Sequence, residues 1–263
     1  MEPKMKRMLR RWADRYETSA FSDGDPLHFP HSAAGRLATP ANIEATAFVA
    51  SVFAFGSIRQ FMPKIALIRD AACGDMDMWV RAGDFSALPA GAPGDSFYRF
   101  ATHGEVRSFL AAYSELLRRH GTLGAYVRER CGGTGSGAVR AIQGAFAGRG
   151  CGCLVPQGRG SACKRICMFL RWMVRSGSPV DLGLWADFID RRTLPMPLDV
   201  HVMRQAAALG LLATRNATMS AAIALSETMK EAFPDDPLRG DFALYGAGRF
   251  DTMSPCAKND RRT

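Results

Sequence analysis

A chain of 263 residues with 47% apolar and 22% charged side chains carries enough material for one large hydrophobic core or two smaller ones, which excludes disorder throughout. No run approaches the roughly 20 apolar residues of a spanning helix, and Met1–Ala20 is too broken by charge for a signal peptide, so a soluble cytoplasmic protein with no membrane span is expected. Thirty-four Lys and Arg against 25 Asp and Glu give a formal charge of +9, which favours polyanionic partners, nucleic acid ahead of an acidic membrane surface. Seven cysteines are an odd number in a chain too long to need disulfide staples, and a reducing compartment follows.

In chain order, residues 5–17 set Met8, Leu9, Trp12 and Tyr16 among basic residues, as in an amphipathic helix. Asp23–Pro40, with its prolines and glycines, reads as loop; His28 and His31 within it are solvated or packing histidines rather than metal ligands. Ile43–Phe55 is apolar nearly all round and predicts a buried helix that Gly56 ends. Gly74–Gly94 reads as irregular. Val106–Arg118 places Val106, Phe109, Leu110, Tyr113, Leu116 and Leu117 at helical spacing, closed by Gly121 after three basic residues suited to the negative end of the helix dipole. Arg130–Gly137 is glycine-rich but follows no strand, so it is no dinucleotide fingerprint. A short helix over Val139–Phe146 and a second glycine-rich stretch, Gly148–Gly160, come next. Strand-like alternation is scarce, and the fold class expected is all-α.

Two segments carry candidate chemistry. In Leu154–Arg175 a turn with Pro156, Gly158 and Gly160 leads into a helix for which Ser161 is placed as N-cap. Ala162, Ile166, Phe169, Leu170, Met173 and Val174 form its apolar stripe, with Lys164, Arg171 and Arg175 on the other face. Glycines at a helix N-terminus let backbone N–H groups approach a phosphate, and Arg159, Lys164 and Arg165 add positive charge. It is not a phosphate-binding loop of the GxxxxGK[ST] type, because Lys164 follows Cys163 and Arg165 stands where Ser or Thr would hold magnesium. In Leu194–Leu212, Pro195 and Pro197 keep the approach extended, Asp199 is the natural N-cap, Leu198 can staple onto Met203, and Gly210 fits the C′ position. An aspartate there is a cap by default, and spacing alone leaves a catalytic role open. Cys151, Cys153, Cys163 and Cys167 form at best a cramped zinc pattern, and core cysteines are expected.

A glycine turn, a lysine-bearing helix and Pro197-Leu198-Asp199-Val200-His201-Val202 opening another helix resemble the helix-hairpin-helix DNA glycosylase superfamily. The likeness is nearer to a family of uncharacterised bacterial proteins within it, through Gly160–Arg165, Met168–Arg175, Asp181–Trp185, Pro197–Asp199, Asp241–Gly246, Phe29-Pro30-His31 and Phe97–Phe100. The resemblance implies a two-lobed, glycosylase-like domain over residues 1–254, with the hairpin and catalytic segment at 154–212 and a basic disordered tail at 255–263. It implies a monomer at the nucleoid that takes duplex DNA with a damaged base and needs no cofactor or metal. Lys164 would attack C1′ of the nucleotide as a Schiff-base nucleophile with Asp199 beside it, and Gly158, Arg159, Gly160, Ser161, Arg165 and His201 would meet DNA. Asp199 follows Lys164 by 35 positions, a long spacing similar to that of the archaeal 8-oxoguanine glycosylases, so an oxidised purine is the expected lesion. The hairpin departs from the usual LPGxG, with Lys164 four residues past Gly160 rather than two. That departure supports a rival reading, a DNA-binding module of the same fold without catalysis. Only Cys256 lies where some members ligate an iron–sulfur cluster, so no cluster is expected.

Overall fold

The computed structural model describes residues 1–22, 24–157, 160–214 and 216–250. The fold is all-α: twelve helices and one short hairpin among the described residues. They run α1 (Pro3–Tyr16), α2 (His28–His31), α3 (Pro40–Phe53), α4 (Ile58–Ala71), α5 (Met76–Ala82), β1 (Ser96–Tyr98), β2 (Ala101–Thr102), α6 (His103–His120), α7 (Leu123–Arg128), α8 (Gly135–Phe146), α9 (Lys164–Val174), α10 (Val200–Ala208), α11 (Met219–Met229) and α12 (Arg239–Phe250). None of these helices is long and apolar enough to cross a membrane. The tail at 255–263 lies outside the described residues.

The larger core is built around α3. Thr39 caps it by accepting from Asn42 N at 3.2 Å, Pro40 presets its first turn, and from Glu44 to Phe53 every residue is buried. The Phe48 ring meets Phe109 and Tyr113 of α6, Phe146 of α8 and Phe169 of α9 at centroid distances of 5.1–5.8 Å. α6 starts on a capping box in which Thr102 and Glu105 satisfy each other's backbone N–H, and it ends at Gly121, whose φ of +81° suits only glycine. A smaller core gathers Leu9 and Ala13 of α1, Met196, Leu198, Val202, Leu225 and Met229, with Ala243 and Leu244 of α12. Because α12 also gives Phe242 to the larger core, it is shared between the two. α1 returns to lie on α12, so the two ends of the described chain build one core together.

Several elements depart from the sequence reading. The stretch from 23 to 40 holds α2 and a 3-10 turn at Gly35–Leu37, and His31 is tied by its Nε2 to the Val180 carbonyl at 2.7 Å. The region 74–94 contains α5, capped by Asp75 and closed by Gly83 at φ +74°. The glycine-rich 130–137 run is partly helix: Thr134 caps α8, and a Cβ on Gly137 would lie 1.9 Å from the Cys131 carbonyl oxygen, so glycine is needed there for close packing.

The charged face of α9 and its C-cap is enclosed: Arg171 and Arg175 are 3% and 1% exposed. Arg171 donates to Asp181 at 3.2 Å and to Asp241 at 2.5 Å, while Arg175 pairs with Asp181, Asp236 and Glu17. Helical periodicity separated the faces correctly, but it could not tell that the 176–190 segment, α1 and α12 cover the charged one. This network joins α9 to both chain ends across the boundary between the cores. Removing one partner would strand a buried charge, at a cost of about 3–5 kcal/mol.

Candidate active site

A cleft of about 1000 Å³ is lined by residues of both cores, with the start of α9 in its wall. One side is the turn from Ala54 to Ser57 between α3 and α4, with Phe21, Asp25 and Pro26; the other is Pro197–Arg204. Asp241, Tyr245 and Arg249 of α12 also reach it. Six Lys and Arg side chains line it against three Asp, so the basic excess of the whole chain holds at this site too.

Lys164 is the first residue of α9, two positions nearer the helix end than the sequence suggests. Ser161 is not the helix N-cap. That position belongs to Cys163, held in the left-handed region at φ +47°, and the Ser161 hydroxyl accepts from Cys163 N at 3.0 Å. A non-glycine residue at positive φ stores of order 1 kcal/mol of strain, and here it turns the chain so that Lys164 enters the cleft. Asp199 is the N-cap of α10, as its spacing predicts. Its Oδ1 accepts from Val202 N at 2.8 Å. Its Oδ2 stands 3.7 Å from Lys164 Nζ. The cap and the site therefore use different oxygens of one carboxylate, and the alternatives of cap or catalytic residue do not exclude each other. The lysine side chain is 39% exposed and the aspartate 13%, so the amine is reachable from solvent while its partner is recessed.

Two further carboxylates, Asp25 and Asp241, line the cleft without having been candidates on sequence grounds. Burial raises the Asp241 carboxyl to about 6 against the pull of Arg171, with Asp199 adding to the rise. Burial likewise raises Asp25, offset by the Leu27 amide and by the Arg171 and Lys164 charges. Asp241 sits within a quoted stretch of the family likeness, but a lone aspartate early in a helix reads as a dipole partner. Asp25 lies in a loop, where spacing carries no signal.

Of the expected DNA contacts, Gly158 and Arg159 lie outside the described residues. Gly160 is exposed and Ser161 half-buried. Arg165 lines the cleft, but its guanidinium donates to the Val52 carbonyl at 2.7 Å and the Cys153 carbonyl at 2.8 Å and lies over the Phe55 ring. Burial lowers it to about 10. Its donors thus fasten α9 to the end of α3. His201 lines the cleft with Nδ1 3.2 Å from the Gly248 carbonyl, an acceptor that places the proton on Nδ1 and leaves Nε2 available.

Trp172 and Trp185 are buried, at 0% and 2% exposure, and Trp185 donates to Glu44 at 2.9 Å; neither can meet a base. Among the described residues no three His, Cys, Asp or Glu gather as metal ligands. Burial raises the thiols of Cys151 to about 11 and Cys153 to about 12.

The chain belongs to the family described as Protein of unknown function (DUF2400), whose pattern matches residues 25–250. No curated protein and no solved structure matches it.

Proposed function

We propose that this DUF2400 chain is a DNA repair enzyme, an N-glycosylase and abasic lyase, with Lys164 as nucleophile and Asp199 as its acidic partner. The observation that carries the reading is the 3.7 Å approach of Lys164 Nζ to Asp199 Oδ2 in a basic cleft, between residues 35 positions apart that a glycosylase likeness pairs. A duplex cannot offer a base to a recessed group without extruding the nucleotide, and the cleft is large enough to receive one.

In the reaction the neutral amine of Lys164 attacks C1′ and the bond from C1′ to the base nitrogen breaks. The base leaves with the electron pair and takes up a proton. Asp199 Oδ2 takes a proton from Nζ and passes it to O4′ as the C1′–O4′ bond breaks, so the sugar ring opens and a protonated imine forms between Nζ and C1′. Loss of a proton from C2′ then expels the 3′ phosphate and nicks the strand. The purine preference comes from the likeness to archaeal 8-oxoguanine enzymes. On this reading the protein works in the cytoplasm at the nucleoid.

Single-turnover cleavage of end-labelled duplexes with an abasic site, an 8-oxoguanine or no lesion tests the proposal. A nick at either lesion, absent from undamaged duplex, is expected. Intact strands throughout, with duplex still bound, would leave the non-catalytic DNA-binding module as the account.

A further inference from the structure

Beside the cleft, outside the pair just described, stands an aromatic stack whose outermost ring is uncovered. Phe55 lines the cleft wall and is half-buried. The Phe100 ring lies 4.8 Å from it at an interplanar angle of 22°, and Phe100 is 58% exposed, one of few large apolar side chains so open. Tyr98 packs on the same ring at 4.7 Å, and the Arg165 guanidinium lies 4.8 Å from its centroid. An exposed phenylalanine on a parallel ring is a flat apolar surface with water on one face.

The mounting of Phe100 is rigid. Arg99 and Phe100 form the two-residue turn between β1 and β2, whose Tyr98 and Ala101 are paired. Arg99 takes φ +54°, a conformation that side-chain-bearing residues avoid. The Tyr98 hydroxyl donates to the Phe55 carbonyl, and Arg99 Nη1 reaches Gln60 Oε1 at 3.3 Å. Gly56, at φ +85°, lets the hairpin close on the α3–α4 turn: a Cβ there would lie 2.7 Å from Arg99 Nη1 and 2.8 Å from the Tyr98 hydroxyl. A strained turn fixed at both ends holds an apolar ring in water, where it costs stability. Arg59 lines the same cleft and Arg99 shares the turn with Phe100, and both are exposed.

We propose that Phe100 is a stacking residue for DNA: its open face takes the unpaired base opposite the lesion, holding the duplex open while the damaged nucleotide occupies the cleft. The inference rests on the DNA reading above. Flat apolar rings flanked by arginines suit a nucleobase attached to phosphate, since the ring takes the base and the cations take the backbone. The ring stands 4.8 Å from Phe55 of the cleft wall, so a base stacked on it lies near the edge of the cleft.

The test uses a duplex with a tetrahydrofuran abasic analogue opposite 2-aminopurine, on which no excision can occur, so it reads stacking independently of Lys164 chemistry. Wild type should bind it and quench the 2-aminopurine emission. Phe100→Ala should weaken binding roughly 5- to 150-fold, the range for one stacked base, and abolish the quench. Phe100→Trp should restore both. On undamaged duplex, where phosphate contacts dominate, Phe100→Ala should bind within about twofold of wild type. Thermal melting of each variant confirms that the fold is kept. Unchanged affinity and quench in Phe100→Ala, a loss that Phe100→Trp does not restore, or an equal loss on both duplexes would overturn the proposal. Failure of the glycosylase reading would instead show as intact strands with these binding differences preserved.

Discussion

Asp199 divides its carboxylate between two tasks, Oδ1 on the Val202 amide and Oδ2 toward Lys164. Asn caps a helix about as well as Asp, so Asp199→Asn should keep the fold within about 0.5 kcal/mol while cleavage falls at least roughly 100-fold. Asp199→Ala should lose the cap too, about 1 kcal/mol. Melting curves beside single-turnover rates separate these effects, and full activity in Asp199→Asn would reduce the residue to a cap. Local turn signals placed Asp199 at the start of its helix and Lys164 in the first turn of its own, but only the family likeness joined them as a pair. Asp25 and Asp241 were not legible in the sequence, since nothing local distinguishes a carboxylate that will be enclosed from one that will be solvated. Glu44 shows the same blind spot. It lies in α3, accepts from Trp185 Nε1 and Gly124 N, and burial raises it to about 7. The folded state therefore keeps a proton that the unfolded chain releases near pH 4.3. The stability linked to that proton is fully present below this value and is lost as pH rises through about 7. Glu44→Gln cannot titrate, so its stability should fall less than that of wild type between about pH 4.5 and 7, by up to a few kcal/mol. Denaturant unfolding across that window checks it, and parallel pH profiles would contradict it.

Elements were legible where local signals agreed. α6 has a continuous apolar stripe, basic residues in its last turn and a closing glycine, and the structure adds the capping box. α4 and the β1–β2 hairpin went unread. α4 carries Pro63 inside it, and five residues of paired strand are too short for alternation to register. Glycine was the most misleading residue, because in this chain it marks close helix packing as well as turns. Gly246 in α12 faces Tyr16 of α1, and a Cβ there would come within 2.2 Å of the Tyr16 ring. In an isolated helix Gly→Ala would stabilise by up to about 1 kcal/mol. In this helix the overlap should win: Gly246→Ala is expected to cost about 1–3 kcal/mol as α1 is pushed off α12. Chemical denaturation measures it, and a more stable variant would show that the contact yields freely.

On the scale of the whole molecule, the two cores are joined by α12 and by the buried network of Arg171, Arg175, Asp181 and Asp241, and the cleft lies between them. That arrangement gives the proposed chemistry its setting. Lys164 comes from the helix fastened to the larger core, and Asp199 caps a helix packed in the smaller one. All-α class followed from the sequence. The cleft could not be read there, because it depends on how the α3–α4 turn, α9, α10 and α12 meet across long separations. The family likeness supplied the pairing of Lys164 with Asp199 that spacing alone could not.

The central claim is that Lys164 forms a covalent imine with the sugar of a damaged nucleotide, and borohydride reduction during incubation with an abasic duplex tests it most directly. The account predicts a protein–DNA adduct that survives denaturing electrophoresis, with the sugar located on Lys164 by peptide mass spectrometry, and no adduct from Lys164→Gln although that variant still binds duplex. An adduct mapped to another lysine, or trapping undiminished in Lys164→Gln, would contradict it.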